Sequence, residues 1–255
     1  MRKLTKSDKI GMIVAADINT AAIFNYYEID FYSKGNRTLE ESCIDGNVPI
    51  VPLLDDLSKT VVQEKRGRNF LRMSVKDLAH YILQNHHRYA ENRLIFIKHA
   101  LTNILKEYDD ERQILNPVKK AFEELSLQLT VQMSYEEFLI FPSLEKIGKK
   151  NRFNSITAGR TVVDHIEYMK GESSRQLEKL IMLRAVSEGY TAKGRDETLY
   201  EIAYSAMKEL ESDLKIHMHL ENNILFPKVI ASYRENQTSL MSDHLRETGI
   251  YKTTI

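Results

Sequence analysis

Apolar residues recur at spacings of three and four along most of the chain after Arg72, which is the period of an amphipathic α-helix. Four long helices are predicted, from about Ser74 to Glu107, from Asn116 to about Pro142, from about Thr157 to Val186 and from about Asp196 to Val229. Short polar segments separate them, and no stretch shows the alternation of a β-strand. The pattern predicts an all-α chain built around an up-down-up-down four-helix bundle.

Local signals mark the starts of the first two helices. Ser74, with Asp77 three residues later, resembles a capping box. Asn116 is a good cap residue, and it precedes Pro117, which a helix tolerates at its first position. We therefore expect the second helix to begin at this pair.

The first sixty residues have a different organisation. Short helices are expected there, interrupted by breaks at Gly11, Lys34-Gly35-Asn36 and Asp45-Gly46-Asn47-Val48-Pro49. The charged stretch from Ser58 to Arg72 fits a linker or a surface helix. We predict a small helical domain over residues 1–66, the bundle over residues 72–235 and a loosely held polar tail over residues 236–255.

Polar and ionisable residues interrupt the inward-facing stripe of each bundle helix, at positions where leucine is expected. The fourth helix carries two of them four residues apart, and the second helix carries a similar pair at the equivalent level. The first and third helices each contribute one imidazole. The residues selected in this way are His87, Gln132, Glu136, His165, His217 and Glu221. The stripe selects His87 over the neighbouring His86, and the alternative is that His86 is the ligand instead.

A metal ion would explain this buried set. Imidazoles and carboxylates buried without partners cost several kcal/mol per group, which a marginally stable fold does not tolerate without compensation. Donors of these two kinds, without thiolate, suit iron or manganese better than zinc, and facing helices of a bundle are where such sites are built. His217 and Glu221 lie one turn apart and can bind one ion or bridge two. The alternative is a polar network without metal.

An internal repeat favours the metal site. Residues 132–142 align with residues 217–227, and both segments end in Phe-Pro. Each copy places a glutamate, Glu136 or Glu221, four residues after its first position. Two such helix hairpins would form a pseudo-symmetric bundle with a shared site at its middle.

Several other residues are given ordinary structural roles. Gln132 is open between a weak oxygen ligand and a group that orients a neighbouring ligand. Glu137 is expected to be solvated, and Tyr135 to pack, with a hydrogen bond to an iron-bound ligand as its alternative. Cys43 is expected to be a small buried or half-buried side chain. The histidines assigned to surface or packing are His80, His99, His219 and His244.

Composition limits the possible functions. The chain has 255 residues, and 36 basic side chains balance 36 acidic ones, so no global field attracts nucleic acid or an anionic membrane. The single cysteine excludes an internal disulfide framework and points to a reducing compartment. No apolar run reaches the roughly 20 residues of a membrane span, and no signal peptide is expected. A cytoplasmic location is predicted.

The motif His217-Met218-His219-Leu220-Glu221-Asn222-Asn223-Ile224-Leu225-Phe226-Pro227 resembles the closing motif of the RIC family (repair of iron centres, also described as the ScdA/YtfE type), His-x-His-x-Glu-x-x-x-Leu-Phe-Pro. The resemblance covers almost the whole chain. It implies a hemerythrin-like di-iron bundle preceded by a small helical domain. It further implies that Glu136 and Glu221 bridge two irons, with terminal imidazoles from His87, His165 and His217.

The chain departs from that family at two places. Asp30-Phe31-Tyr32-Ser33-Lys34-Gly35 resembles the signature Asp-Phe-Cys-Cys-Gly-Gly, but Tyr32 and Ser33 stand where the cysteines belong. These residues cannot perform thiol chemistry. Gln132 replaces a histidine of the first His-x-x-x-Glu motif, so one metal position is expected to be labile, open to water or empty.

The resemblance implies a stress-response protein that restores iron-sulfur clusters damaged by nitric oxide or oxidants. A non-haem iron centre, with two ions or one, would deliver iron or react with nitric oxide, and damaged iron-sulfur proteins would be the clients. One alternative is a hemerythrin-like sensor or carrier of O2 or NO, and another is a regulatory descendant that has lost its metal. Whether the protein is an enzyme or a homodimer stays open.

Overall fold

The structure is a computed structural model that describes residues 4–62, 68–108, 112–144, 161–192 and 197–247. These residues form helices and turns, with one isolated antiparallel bridge between Lys9 and Thr38. The predicted all-α class is confirmed. None of the helices in these ranges is long and apolar enough to cross a membrane.

Within residues 4–62 and 68–74, the structure has four α-helices, α1 (Ile10–Ala16), α2 (Thr20–Tyr26), α3 (Leu39–Asp45) and α4 (Ile50–Val62), and a short 3-10 helix at Phe70–Arg72. A capping box starts α3, where the Thr38 hydroxyl accepts from the Glu41 amide and the Glu41 carboxylate accepts from the Thr38 amide. The predicted short helices are therefore present.

The bundle consists of four long rods, three of which contain a π turn. The first is α5 (Val75–Ile82), π1 (Leu83–His87) and α6 (Arg88–Glu107), and the second is α7 (Arg112–Tyr135), π2 (Glu136–Ile140) and α8 (Phe141–Leu144). The third is α9 (Val162–Val186), and the fourth is α10 (Glu197–Leu220), π3 (Glu221–Leu225) and α11 (Phe226–Glu247). Contacts pair α6 with α10 and α7 with α9.

Several predicted boundaries differ from those observed. The second rod begins at Arg112, so Pro117 lies inside α7 rather than at its start. The fourth rod passes Val229 without a break and reaches Glu247, so the segment predicted as a polar tail begins inside α11. The third rod begins after Thr161, which forms a capping box with Asp164, and the expected start at Thr157 lies outside the described residues.

The described residues form two apolar clusters in the interior. One combines the N-terminal helices with the part of the bundle around Leu94, Leu125 and Leu210. The other contains Leu78, Ile166 and neighbouring side chains at the opposite end of the bundle. Because the N-terminal helices share a cluster with the bundle, they are packed as part of one core. The division into domains at 1–66 and 72–235 remains our proposal.

The segment between α2 and α3 is fastened to the fourth rod. The Asn223 side-chain amide donates to the backbone oxygens of Phe31 and Tyr32, each at 3.1 Å. It also lies 3.1 Å from Nδ1 of the buried His219. Gly35 packs so closely on Asn223 that an added Cβ would lie 2.3–2.7 Å from the Asn223 amide group. The retained glycine of the family signature therefore has a packing role.

A buried carboxylate lies on the same side of the bundle. Glu211 accepts a hydrogen bond from the Tyr190 hydroxyl at 2.6 Å and forms an ion pair with Lys215 at 2.7 Å. Arg184 approaches the same oxygen as Lys215, Oε1, at 3.4 Å and also reaches Glu28 of the N-terminal part at 3.6 Å. This network links the N-terminal helices to the third and fourth rods.

Candidate metal centre

The three π turns coincide with the polar positions of the stripe. In each turn an amide bonds to the carbonyl five residues earlier: Arg88 to Leu83, Phe141 to Glu136 and Phe226 to Glu221. A π turn adds one residue to a helical turn, and such bulges occur frequently at functional sites. They lie between the two apolar clusters, so the polar side chains meet at mid-height in the bundle.

Four of the predicted ligands converge. Donor atoms of His87, Glu136, His217 and Glu221 all lie within 4.8 Å of one another, and all four residues are buried. Nε2 of His87 lies 3.1 Å from Oε2 of Glu136 and 3.3 Å from Nε2 of His217. Nε2 of His217 lies 3.2 Å from Oε1 of Glu221. Two imidazoles and two carboxylates from three rods therefore surround one small volume.

The donors in this volume fit a metal ion. Both side-chain oxygens of Glu221 are buried without a hydrogen-bond partner among the described residues, as are Oε2 of Glu136 and Oε1 of Gln132. Buried carboxylate oxygens normally have partners, and a cation satisfies them. Imidazole nitrogen and carboxylate oxygen are a donor set that iron accepts readily.

The pKa values of the clustered residues are shifted because the residues are buried close to one another. Burial raises the pKa of Glu221 to about 7 and also raises that of Glu136. Burial, with the charge on His87, lowers the pKa of His217 to about 3. Burial alone would lower the pKa of His87, but the adjacent Glu136 carboxylate, with further contributions from Glu221 and Glu137, outweighs it and raises the pKa to about 9. Without metal, the cluster therefore retains a proton that a bound cation would replace.

His165 and Gln132 are near this group but are placed differently. His165 is buried outside the four-residue group, and its Nδ1 forms a short hydrogen bond with the Tyr135 hydroxyl. Tyr135 therefore forms a hydrogen bond with one of the imidazoles that the sequence predicts to face the interior. Gln132 donates from Nε2 to Oε1 of Glu136 at 3.0 Å, which supports the orienting role over the ligand role. The ligand assignments themselves remain our proposal.

His86 is the residue that the periodicity missed. It is buried, its ring stacks on that of His217 with centroids 6.0 Å apart, and its Nδ1 lies 2.9 Å from Oδ1 of Asp213. Its Nε2 is buried and has no hydrogen-bond partner among the described residues. The stripe rejected His86 because a regular α-helix was assumed, whereas π1 brings both adjacent histidines inside. His86 is therefore an additional candidate donor.

The remaining residues largely follow the expected roles. His80 and His99 are exposed, Cys43 is free and buried, and His219 packs against Phe31. The side chain of His244 lies outside the described residues. Glu137 is mostly shielded instead of solvated, with a side chain 15% exposed. The Glu137 prediction is corrected because its carboxylate lies against His87.

Comparisons with known proteins agree with this arrangement. Residues 6–61 match the ScdA_N family model, described as a domain of unknown function, and residues 78–229 match the hemerythrin HHE cation binding domain. The chain is 24% identical over 228 residues to proteins named iron-sulfur cluster repair protein YtfE from Enterobacter sp. (strain 638), Salmonella paratyphi B and Salmonella newport, covering 89% of this chain and 98% of each relative. The resemblance stated from the motifs is confirmed, and the chain belongs to the hemerythrin HHE cation-binding family.

Proposed function

We propose that this protein binds non-haem iron at the centre of its bundle and helps to restore iron-sulfur clusters damaged by nitric oxide or oxidants. The observation that carries the proposal is the buried group of His87, Glu136, His217 and Glu221. It occurs in a chain whose similarity to the named repair proteins extends through both its N-terminal helices and its bundle.

We place iron between these four residues, with His165 and His86 as further donors that would allow a second ion. Iron held by imidazoles and carboxylates supplies redox and small-ligand chemistry. In this chain the two buried carboxylates would balance the cation, and the apolar clusters would exclude bulk water. The hydrogen bond from Gln132 to Glu136 supports an oriented carboxylate rather than an additional metal bond.

Delivery of iron is the activity that these residues favour over tight storage. A glutamine in place of an imidazole removes one strong donor, and fewer donors hold the ion less firmly. Tyr32 and Ser33 provide no thiol, and Cys43 is buried with its pKa raised by burial. The proposed repair therefore depends on iron from the bundle and not on cysteine chemistry. We propose damaged iron-sulfur proteins in the cytoplasm as clients.

Iron analysis of protein purified without air tests the site. We expect stoichiometric iron in the natural chain and its loss in Glu221→Ala, which removes two buried oxygens of the cluster. Glu201→Ala is the matched control, because it deletes an exposed carboxylate from the same rod. Iron content near zero in the natural chain would replace the proposal with a regulatory protein that has lost its metal.

Reactivation of a damaged cluster enzyme tests the activity. The iron-loaded protein should restore more enzyme activity than the same concentration of free ferrous iron, and Glu221→Ala should restore no more than free iron. If the loaded protein restores nothing beyond free iron, but shows an absorption band that appears with oxygen and disappears on reduction, it is a carrier or sensor.

A further inference from the structure

The outer nitrogen of His87 has a charged partner. Its Nδ1 lies 2.9 Å from Oε1 of Glu137, whereas its Nε2 faces Glu136 and His217 inside the cluster. The two ring nitrogens therefore point in different directions, one to the metal volume and one to a carboxylate behind it. Glu137 follows Glu136 in π2, so neighbouring residues of one turn face the two sides of the same imidazole.

Glu137 is itself held in place. The Arg88 guanidinium donates to its other oxygen, Oε2, at 3.1 Å, and also donates to both oxygens of Glu91 at 2.8 and 2.7 Å. Arg88 immediately follows His87, so the imidazole and the cation come from one turn of the first rod. A carboxylate paired with a guanidinium in this way accepts hydrogen bonds from its neighbours.

The ring of His87 is also fixed sterically. Phe141 stacks on it with centroids 5.5 Å apart and an interplanar angle of 24°. Phe141 lies four residues after Glu137, so one stretch of the second rod contacts both the Nδ1 edge and the face of the ring. Glu137 and Phe141 also line a surface cleft of about 230 Å³. The partners of His87 are thus reached from outside the bundle, whereas its Nε2 is not.

We propose that Glu137, clamped by Arg88, is a positioning residue that keeps the proton of His87 on Nδ1 and leaves Nε2 free to bind metal. An imidazole that binds a metal through one nitrogen commonly donates its other N–H to a carboxylate, which fixes the tautomer and strengthens the donor. This inference rests on the proposed metal site and adds a residue that does not contact the ion.

The two copies of the internal repeat differ at the position of Glu137. The position of Glu137 in the second rod corresponds to Asn222 in the fourth, which carries no charge. The imidazole of the third rod, His165, has its Nδ1 against the Tyr135 hydroxyl. A carboxylate therefore lies behind His87, as that of Asp213 lies behind His86, whereas a hydroxyl lies behind His165. His87 should be a stronger metal donor than His165.

Metal affinity measured with matched variants tests the role. Ferrous iron, and zinc as a diamagnetic substitute, are titrated into the natural chain, Glu137→Ala, Glu137→Gln and Glu91→Ala. We expect Glu137→Ala to weaken binding about 10- to 100-fold, the range for groups that orient a ligand. The metal affinity of Glu137→Gln should lie between those of the natural chain and Glu137→Ala, because the glutamine amide oxygen still accepts the hydrogen bond but carries no charge. Glu91→Ala removes the other partner of Arg88 and should bind almost normally.

Nitrogen-15 NMR of the zinc-loaded chains provides a readout independent of activity. The natural chain should show a slowly exchanging Nδ1–H on His87, and Glu137→Ala should lose it while remaining folded. Equal affinity in the natural chain and Glu137→Ala, with the Nδ1–H signal retained, would overturn this inference and leave the metal site standing. Absence of metal binding in the natural chain would overturn both proposals.

Discussion

Replacing Gly35 with alanine tests how the N-terminal segment is attached to the fourth rod. The new Cβ would lie 2.3 Å from Oδ1, 2.5 Å from Cγ and 2.7 Å from Nδ2 of Asn223. Contacts this short require the amide to move. Moving it breaks the hydrogen bonds to the backbone oxygens of Phe31 and Tyr32, and also the contact with His219.

The expected loss of stability follows from these bonds. Each hydrogen bond contributes about 1 kcal/mol net, and a buried acceptor left without a partner costs about 1–3 kcal/mol. Two bonds to carbonyl groups therefore account for roughly 2–4 kcal/mol. Alanine also restricts the unfolded chain, which returns about 0.4–1 kcal/mol, because Gly35 has no positive φ that alanine would resist. The free energy of unfolding should fall by about 1–3.5 kcal/mol.

A double-mutant cycle followed by denaturant unfolding isolates the clash. Asn223→Ala removes the amide, so adding Gly35→Ala in that background should cost less than about 1 kcal/mol, which gives a coupling of about 2 kcal/mol between the two sites. Gly171→Ala is the control, because no neighbouring atom lies within 4 Å of the position that its Cβ would take and the residue is exposed in α9. It should stabilise the protein by about 0.5–1 kcal/mol. Strictly additive costs at positions 35 and 223 would refute the reasoning.

Three further results are expected. Metal-free protein should lose up to about 3 kcal/mol of stability as pH rises from about 6.5 to about 9, because folded His87, with its pKa raised to about 9, keeps a proton that the unfolded chain has already released. Denaturant unfolding at several pH values in the presence of a chelator measures this loss. A free energy of unfolding that rises over that interval would contradict the prediction. Tyr135→Phe removes the hydroxyl on His165 and should weaken metal binding less than Glu137→Ala does, as judged by parallel titrations; a larger effect would reverse the order of donor strength. Glu211→Ala removes the acceptor of the Tyr190 hydroxyl and the partner of Lys215 and Arg184, whose side chains are 16% and 51% exposed, and should destabilise the fold by about 1–3 kcal/mol in thermal or denaturant unfolding. A change below about 0.5 kcal/mol would show that the network is unimportant.

The sequence was sufficient where helical periodicity is regular. The spacing of His217 and Glu221, and the repeat that places Glu136 at the equivalent position, predicted residues that the structure brings together. The four side chains converge because residues four apart share a face of an α-helix, and their role as metal ligands stays a prediction. The all-α bundle followed from the same period.

The sequence was insufficient where the helix departs from its ideal geometry. A π turn leaves no simple signature in residue types, so the inward position of His86 could not be read from the stripe. Glu137 looked like a solvated residue because its partners, His87 and Arg88, belong to another rod. The extension of the fourth rod to Glu247 was missed because its polar composition resembles that of a loose tail.

The π turns also constrain any transfer of this centre to another protein. Each additional residue in a helical turn rotates the chain beyond it by about 100° relative to an uninterrupted α-helix. Deleting one residue from π1 or π3 would therefore leave a continuous helix but turn its far half to a different face. If the same side chains were placed on ideal straight helices, they would no longer converge on one point. The bulged backbone must therefore be copied together with the ligands.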